Sequence, residues 1–461
     1  MSKISDILNL ITELVAPSGI VFTGYFNMPS NNIFFIGRVK LEDYQKLVRE
    51  KNATFNLFGN VCGKNIFIKN ASIVRSSCHG VRPEYISVDI LPYEIAVGVS
   101  CDETPIMVER IETVMPELNW FFGNSVVSPT FDSKADNFPA KFNPLNITVN
   151  YEDKKLSILR TFRACETWKG LAFKNINQIE IGFTISVPIM EAIRQVTSVR
   201  LFFCFLADDY VELPSEFCFS TSTSQTLDEN ESQLADKYLW LNDNHSYHIV
   251  KKDYPFRIYY SMVKDCFADV WHGWTFFWDN PLNLPMIELF SEIVTNKSVG
   301  LNRFLNLCQA LEVYSTQFRN SEAKAVWKTN KNNSENINNK NSPKFPTLCH
   351  RFTELFTYHC DIFPRREAEI AEISKNIADI RNYYTHYNPK SRTKLENQYD
   401  DISIVHSRYE GVLHFMLLAT VYKAIGIPID AIKNAMFNVD SRFGVSTERL
   451  FEGPNKDELP Y

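Results

Sequence analysis

The chain has 461 residues, enough for two or three domains, and its hydrophobic content of 45% is ordinary for a globular protein. The formal net charge of −6 excludes a protein that coats nucleic acid non-specifically, so any nucleic-acid contact must come from a local basic patch. The ten cysteines include no Cys-x-x-Cys pair, which excludes a zinc framework and favours reduced thiols in a cytoplasmic protein. The N-terminal stretch is too polar for a signal peptide, and no later apolar run approaches about 20 residues, so we expect no membrane segment.

The first part of the chain is predicted to be rich in strands. Runs of Ile, Val, Phe and Tyr alternate with Gly and Asn, and the predicted strands are residues 20–26, 32–41, 53–58, 65–74 and 85–99. Short strands at regular spacing are typical of an antiparallel sandwich or barrel. We expect a first strand-rich part over residues 1–145 and a second over residues 146–285.

The second strand-rich part begins with a hairpin signal, in which residues 145–151 and 155–162 bracket the turn Glu152-Asp153-Lys154. Further strands are predicted over residues 178–187 and 199–205, with a short helix over 190–197 between them.

Three of the seven tryptophans then fall between residues 270 and 278. They could stack a ligand or a nucleobase, but such a cluster more often fills a core or a domain seam. Pro281 and Pro285 mark the passage into helices, so the domain boundary is predicted near residue 285.

Residues 286–461 are predicted to form an all-α bundle. Apolar side chains at helical spacing predict helices over residues 287–295, 302–318, 345–360, 366–388, 402–425 and 428–436. The polar stretch at residues 329–341 cannot bury enough apolar surface to order itself, so a disordered Asn-rich loop is expected over about 321–344. The predicted fold class is α+β multidomain, a strand-rich antiparallel N-terminal region followed by a C-terminal helical bundle.

The helix predicted over residues 366–388 carries the most informative pattern. Its apolar stripe consists of Ile370, Ile373, Ile377, Ile380 and Tyr384. Asn382 and His386 lie opposite the stripe, whereas Arg381 lies at its edge, about 140° around the axis and about 7.5 Å along it from His386. One straight helix therefore cannot easily direct both side chains at one phosphate. Two copies related by a two-fold axis can, which predicts a homodimer or a higher homo-oligomer.

The segment Arg381-Asn382-Tyr383-Tyr384-Thr385-His386 resembles the Arg-Asn-x-x-x-His motif of the HEPN superfamily. Its members are helical bundles and include many metal-independent ribonucleases. A second pair, Arg408 and His414, has a compatible spacing. The first pair ends a helix and carries the asparagine, whereas the second lies inside the next amphipathic helix, where core and surface roles suffice. We therefore assign the candidate site to the first pair.

Two further features resemble the ApeA family of HEPN proteins. The segment Gln309-Ala310-Leu311-Glu312-Val313-Tyr314 is similar to the Ala-Leu-Glu segment of ApeA-type HEPN domains, and the strand-rich region before a C-terminal HEPN bundle is similar to that family's layout. The resemblance implies a role in bacterial abortive defence against phage, with the HEPN domain as the ribonuclease effector. It also implies that the N-terminal domain is a sensing or regulatory module, which could respond to a phage-derived trigger. RNA, with tRNA among the candidates, is the implied substrate.

Cleavage of RNA by its own 2′-OH needs proton transfer and stabilisation of the negative charge on the phosphorane. A histidine transfers protons near neutral pH without a metal, and an arginine fork stabilises phosphate oxygens. His386 is predicted as the general base or acid, Arg381 as the phosphate clamp, and Asn382 as the residue that orients His386 or binds the phosphate. No metal or cofactor is expected, because the sequence shows neither a carboxylate constellation for Mg²⁺ nor a glycine-rich phosphate loop.

Several neighbouring residues keep two interpretations each. Tyr383 either lines the cleft and contacts RNA or simply packs. The loop cations Lys390, Arg392 and Lys394 either hold the RNA backbone or form an ordinary solvated surface. Glu312 either approaches the site from the facing helix or is solvated.

Two other functions compete with the nuclease. The bundle could be a catalytically silent HEPN domain that dimerises or binds a small ligand, with Arg381 and His386 merely on its surface. It could also transfer nucleotides to a partner, which would require a nucleotide and Mg²⁺.

Overall fold

The computed structural model describes residues 7–29, 32–49, 54–61, 63–78, 83–99, 105–123, 127–129, 140–142, 144–167, 170–221, 237–242, 257–295, 300–333, 345–363, 365–387, 389–399 and 405–437. Its contacts divide the chain into two compact units. The strand unit comprises Met1–Asn119, Asn124–Thr197 and Glu212–Tyr254, and the helical unit comprises Trp120–Gly123, Ser198–Val211 and Pro255–Tyr461. The boundary predicted near residue 285 falls inside the helical unit.

The strand unit contains β1 (Ile11–Val15), β2 (Val21–Asn27), β3 (Phe34–Lys40), β4 (Phe55–Val61), β5 (Lys64–Ser77), β6 (Tyr85–Leu91), β7 (Glu94–Val97), β8 (Met107–Val114), β9 (Val127–Pro129), β10 (Ala140–Phe142), β11 (Leu145–Tyr151), β12 (Lys154–Thr167), β13 (Gly170–Pro188), β14 (Glu216–Ser220) and β15 (Lys237–Leu241). All pairings between these strands are antiparallel. The predicted antiparallel class of the N-terminal region is therefore confirmed.

The long strand β5 closes part of the sheet into a ring. Its first half pairs with β4 and its second half pairs with β6, so the strands β5, β4, β1, β2, β3 and β6 form a closed circuit. Alternate side chains point inward, as the period of two requires. Phe22, Phe26 and Phe35 are fully buried in the resulting core.

The predicted hairpin is formed by β11 and β12, whose last pair is Tyr151 with Lys154. Glu152 has a φ of 48°, which gives the tight turn between them. The sheet continues through β13, which contains the predicted strand over residues 178–187.

The helices are α1 (Leu41–Arg49), α2 (Leu118–Phe122), α3 (Ile189–Ala207), α4 (Tyr260–Val263), α5 (Phe267–Asp279), α6 (Leu284–Thr295), α7 (Leu301–Phe318), α8 (Asn320–Asn333), α9 (Leu348–Tyr358), α10 (Glu367–His386), α11 (Pro389–Gln398), α12 (Ser407–Ala424) and α13 (Ile429–Phe437). Helix α12 is buried on nearly every side, as a helix apolar all round must be. The predicted C-terminal bundle is therefore confirmed.

The strand predicted over residues 199–205 is wrong, because this segment belongs to α3. Phe202, Phe203 and Phe205 are fully buried, with no accessible surface. A helix buried on all sides shows no polar face, so its short apolar run cannot be told from a buried strand by periodicity.

Two segments expected as loops are helical. The disordered loop predicted over about 321–344 is wrong for its first part, because α8 runs to Asn333. Residues 334–344 lie outside the described part. Ala323 is fully buried and fixes the first turns of α8. The cationic loop predicted after Pro389 is α11, since proline is favoured at the first helical position and Leu395 is fully buried.

The tryptophan cluster lies on α5, and its main role is to fill the core of the helical unit. Trp271 and Trp274 are buried, and Trp274 Nε1 donates to Ser198 Oγ at 3.0 Å. Gly273 is required where α5 meets the end of α12, because a Cβ there would lie 2.4 Å from the Ile425 carbonyl oxygen.

Candidate active site

Helix α10 presents the candidate residues at its C-terminal end. At its start, the backbone N–H of Arg366 donates to the Glu369 carboxylate at 3.4 Å. Ile370, Ile377 and Ile380 of the predicted stripe are at most 4% exposed, so the stripe faces the bundle core as expected.

The last turn of α10 is anchored by Tyr384. Its ring meets the His406 ring edge-on with centroids 5.7 Å apart, and the His406 ring lies 6.3 Å from Phe304 of α7. The end of α10 is therefore held against α7 and the start of α12 by aromatic packing.

Arg381 points at α7, where Glu312 meets it. Arg381 Nη2 donates to Glu312 Oε2 at 3.1 Å, and the two side chains are 25% and 34% exposed. Of the two interpretations of Glu312, the structure shows the one in which it approaches the site. Cys308 lies one turn before Glu312 and is fully buried, and burial raises the pKa of its thiol well above the usual range. The positive charge of Arg381 acts against this rise in the pKa of the thiol, whereas the charge of Glu312 adds to it.

His386 is exposed in the last turn of α10, and Asn382 is half-buried one turn earlier. Within the part of the chain that the structure describes, neither side chain makes a hydrogen bond, and no ion pair or hydrogen bond joins Arg381 to either of them. A single protomer thus presents an anchored guanidinium and a separate, open imidazole, as expected from the angle between them.

Tyr383 packs in a short row of rings. Its centroid is 5.0 Å from that of Tyr384 and 6.0 Å from that of Tyr387. Arg392 of α11 is exposed and donates to Glu396 Oε1 at 2.7 Å. That hydrogen bond and the Glu396 charge raise the pKa of Arg392, and Tyr383 adds to the effect, so the guanidinium lies near this row. The side chains of Lys390 and Lys394 lie outside the described residues.

The second arginine–histidine pair has a different environment. Arg408 stacks on the Tyr399 ring at 5.1 Å, while His414 is 2% exposed inside α12. His414 Nε2 contacts Asp208 Oδ1 at 2.5 Å, and Arg303 Nη2 lies 3.5 Å from His414 Nδ1. Burial lowers the pKa of His414, and the nearby charge of Arg303 acts in the same direction, although Asp208 opposes them.

The sequence did not predict this buried network of charged residues. Asp208 also accepts from Arg257 Nε at 2.5 Å, and Arg303 Nε lies 3.1 Å from Glu410 Oε1. The contacting residues are 49, 111 and 206 positions apart in the chain, so no local spacing signals them. The one available signal is Asp208 itself, a charged residue directly after the apolar end of α3.

Metal sites and membrane-spanning helices are two features that the sequence does not predict. Among the described residues, no group of three or more His, Cys, Asp and Glu side chains is arranged to hold a metal ion. None of the described helices combines the length and the apolar character needed to cross a membrane.

Comparison with known proteins gives one family. Residues 305–428 match the model of the Apea-like HEPN domain, a range that runs from α7 through α12 and includes Glu312, Arg381 and His386. No curated protein and no solved structure matches the chain. The match supports the resemblance found in the sequence, and with it a ribonuclease activity in general terms. The helical segment that carries Arg381 and His386 is an Apea-like HEPN domain.

Proposed function

We propose that this protein is a metal-independent endoribonuclease, with Arg381 and His386 as its catalytic residues. The observation that supports this most is the state of the two side chains within the matched domain. Arg381 is fixed by Glu312 at 3.1 Å, whereas the imidazole of His386 is open to solvent at the end of α10. A fixed cation and an accessible proton carrier are what phosphodiester cleavage by an internal nucleophile requires.

In the proposed reaction the ribose 2′-oxygen attacks the adjacent phosphorus and the bond to the 5′-oxygen breaks. A His386 imidazole takes the 2′-OH proton or gives a proton to the leaving 5′-oxygen. Among the described residues, the Arg381 guanidinium has Glu312 as its hydrogen-bond partner through one N–H, and its other N–H groups stabilise the equatorial oxygens. The products are a 2′,3′-cyclic phosphate and a 5′-hydroxyl.

The proposed active form is a homodimer. In one protomer Arg381 and His386 point about 140° apart around the same helix, so one phosphate cannot contact both easily. Two α10 tips meeting across a two-fold axis bring the guanidinium of one copy toward the imidazole of the other. Asn382, between them on the helix, then either hydrogen-bonds the phosphate or the partner imidazole.

The direct test uses the purified full chain with end-labelled RNA in the presence of EDTA. We expect cleavage of RNA and not of DNA, with cyclic phosphate ends, and its loss when the cleaved nucleotide is 2′-deoxy. Arg381→Ala and His386→Ala should be inactive but folded, because neither side chain is in the core. Matched controls are Lys375→Ala on the same helix and His272→Ala on α5, both exposed residues that should keep activity.

The dimer is tested by mixing the two inactive variants. If Arg381 and His386 act from opposite copies, each mixed dimer has one intact site, and about one quarter of the activity should return. If both variants dimerise and none returns, the arrangement across copies is wrong. If the wild-type chain leaves every RNA intact, even when taken from infected cells, the nuclease proposal fails, and a catalytically silent HEPN module remains.

We further propose that the nuclease acts in bacterial defence against phage, with tRNA among its candidate substrates, and that the strand unit restrains it until a phage-derived trigger appears. This part rests on the resemblance to the ApeA family. It is tested by expressing the chain in bacteria and challenging them with phage. Protection that His386→Ala retains would contradict the proposal.

A further inference from the structure

Tyr387, directly after His386, has an unusual backbone conformation. It ends α10 with φ 47° and ψ 37°, the left-handed region. Its N–H donates to the Tyr383 carbonyl at 2.6 Å, which closes the helix. Helices often end in this way, but with glycine or asparagine, because a bulky residue is strained there.

The packing contacts of the Tyr387 ring are too few to offset this strain. It is 67% exposed, and its packing partner is the Tyr383 ring, met edge-on at 6.0 Å and 69°. A glycine would close the helix equally well without the strain. An aromatic side chain that is both strained and exposed is therefore unexplained by stability.

Its surroundings suit a flat ligand. Tyr387 is the outer member of a row that continues through Tyr383 and Tyr384 to the buried His406 ring, so the row is fixed at its inner end. Arg392 adds a cation near Tyr383. Tyr387 follows His386 directly in the chain, so the Cα atoms of the two residues are about 3.8 Å apart.

We propose that Tyr387 stacks against the nucleobase beside the cleaved phosphate, and so selects RNA whose base is unpaired at that position. The inference rests on the proposed ribonuclease function. Stacking on an aromatic side chain tolerates any base, since each has a π face, but it requires that the base leave its helix. Tyr387 is thus a specificity residue, distinct from the proton carrier and the phosphate clamp.

The first test combines cleavage with stability. Tyr387→Asn removes the ring and provides a residue that tolerates the left-handed region, so the variant should melt at a higher temperature than wild type. Its kcat/KM on single-stranded RNA should fall roughly 5- to 150-fold, the value of one base stack. Tyr387→Phe should recover most of the loss. Phe276→Ser, which removes another exposed ring on α5, should change neither activity nor RNA preference.

The second test removes the base in place of the ring. Once the cleavage position is mapped, an RNA with an abasic ribose beside it should be cut slowly by wild type and no more slowly by Tyr387→Asn. If the abasic RNA slows Tyr387→Asn by the same factor as it slows wild type, the base and the ring act independently and the inference is wrong. Wild-type activity in Tyr387→Asn would also contradict it. If the only defect of Tyr387→Asn is weaker self-association, the ring belongs to the contact between copies and not to RNA binding.

A binding measurement separates this inference from the proposed function. His386→Ala protein is mixed with RNA containing 2-aminopurine, whose fluorescence is quenched by stacking. We expect the 2-aminopurine fluorescence to be quenched by His386→Ala protein but not by the double variant that combines His386→Ala with Tyr387→Asn. If the fluorescence is quenched but the wild-type protein cleaves no RNA, the nuclease proposal is wrong and the stacking role stands. If RNA is cleaved but 2-aminopurine is quenched at no position, the stacking role is wrong and the nuclease proposal stands.

Discussion

Two places in the helical unit carry an arginine and a histidine at similar spacing, and the structure treats them in opposite ways. His386 is exposed at the end of α10, while its arginine is fixed by Glu312. His414 is 2% exposed in the middle of α12 and contacts Asp208. Similar spacing therefore yields an accessible imidazole in one helix and a buried structural one in the other.

The difference comes from where each pair lies on its helix. His386 lies opposite the stripe of α10, so the same packing that buries Ile377 and Ile380 turns it outward. Helix α12 has no outward face over most of its length, so His414 must enter the core and find polar partners there. Position on the helix, rather than spacing between the two residues, determines whether the imidazole can meet a substrate.

The largest expected effect concerns the exposed pair. His386→Ala should lower kcat by about 10²- to 10⁴-fold, the usual contribution of a positioned proton carrier. The free energy of unfolding should stay within about 0.5 kcal/mol of wild type, as for most surface substitutions. RNA cleavage assays and denaturant unfolding on the same preparations check both values. A large loss of stability would show that His386 supports the fold.

The reverse pattern is expected for the buried pair. His414→Ala removes a partner of Asp208 and should cost about 3–5 kcal/mol of unfolding free energy, because it leaves a buried charge less compensated. Activity per folded molecule should be retained. His414→Gln keeps a donor toward Asp208 and should lose less. If His414→Ala were stable and inactive, the candidate site would be the second pair.

The sequence predicted the α10 stripe and its exposed tip because both follow from a period that one helix shows by itself. It also predicted the antiparallel class of the strand unit from the alternation of short runs. It missed α3 as a full helix, since Phe202, Phe203 and Phe205 are buried on all sides and leave no polar face. It missed Asp208, Arg257 and Arg303 because their contacts join distant segments.

Acid should destabilise the protein through two of its buried histidines. Burial lowers the pKa of His414, and it lowers that of His359, whose Nε2 lies 3.0 Å from Thr420 Oγ1, to about 3. In the unfolded chain the pKa of histidine is about 6.5. Below that pH the unfolded chain binds protons that the folded chain does not bind, so the free energy of unfolding falls as the pH drops from about 6.5 toward 3. Each such histidine contributes a slope of at most about 1.4 kcal/mol per pH unit.

The measurement is the free energy of unfolding against pH for the wild-type protein and one variant. His359→Gln should show a shallower fall between pH 6.5 and pH 3 than wild type, because one of the titrating groups is gone. Parallel curves for His359→Gln and wild type would contradict the assignment of acid sensitivity to this site.

The smallest effect is expected at the contact that fixes Arg381. Glu312→Gln keeps an oxygen that can accept from the Arg381 guanidinium but removes the charge, and both side chains are partly exposed, so the loss of stability should stay below about 1 kcal/mol. We expect kcat/KM to fall about 2- to 10-fold, because the fork that holds the phosphate is less firmly oriented. Glu322→Gln, an exposed carboxylate of α8, serves as the control and should be unchanged. A rise in activity for Glu312→Gln would mean that the carboxylate competes with the phosphate for Arg381, so that the pair restrains the site; the direction of this small change decides between the two roles.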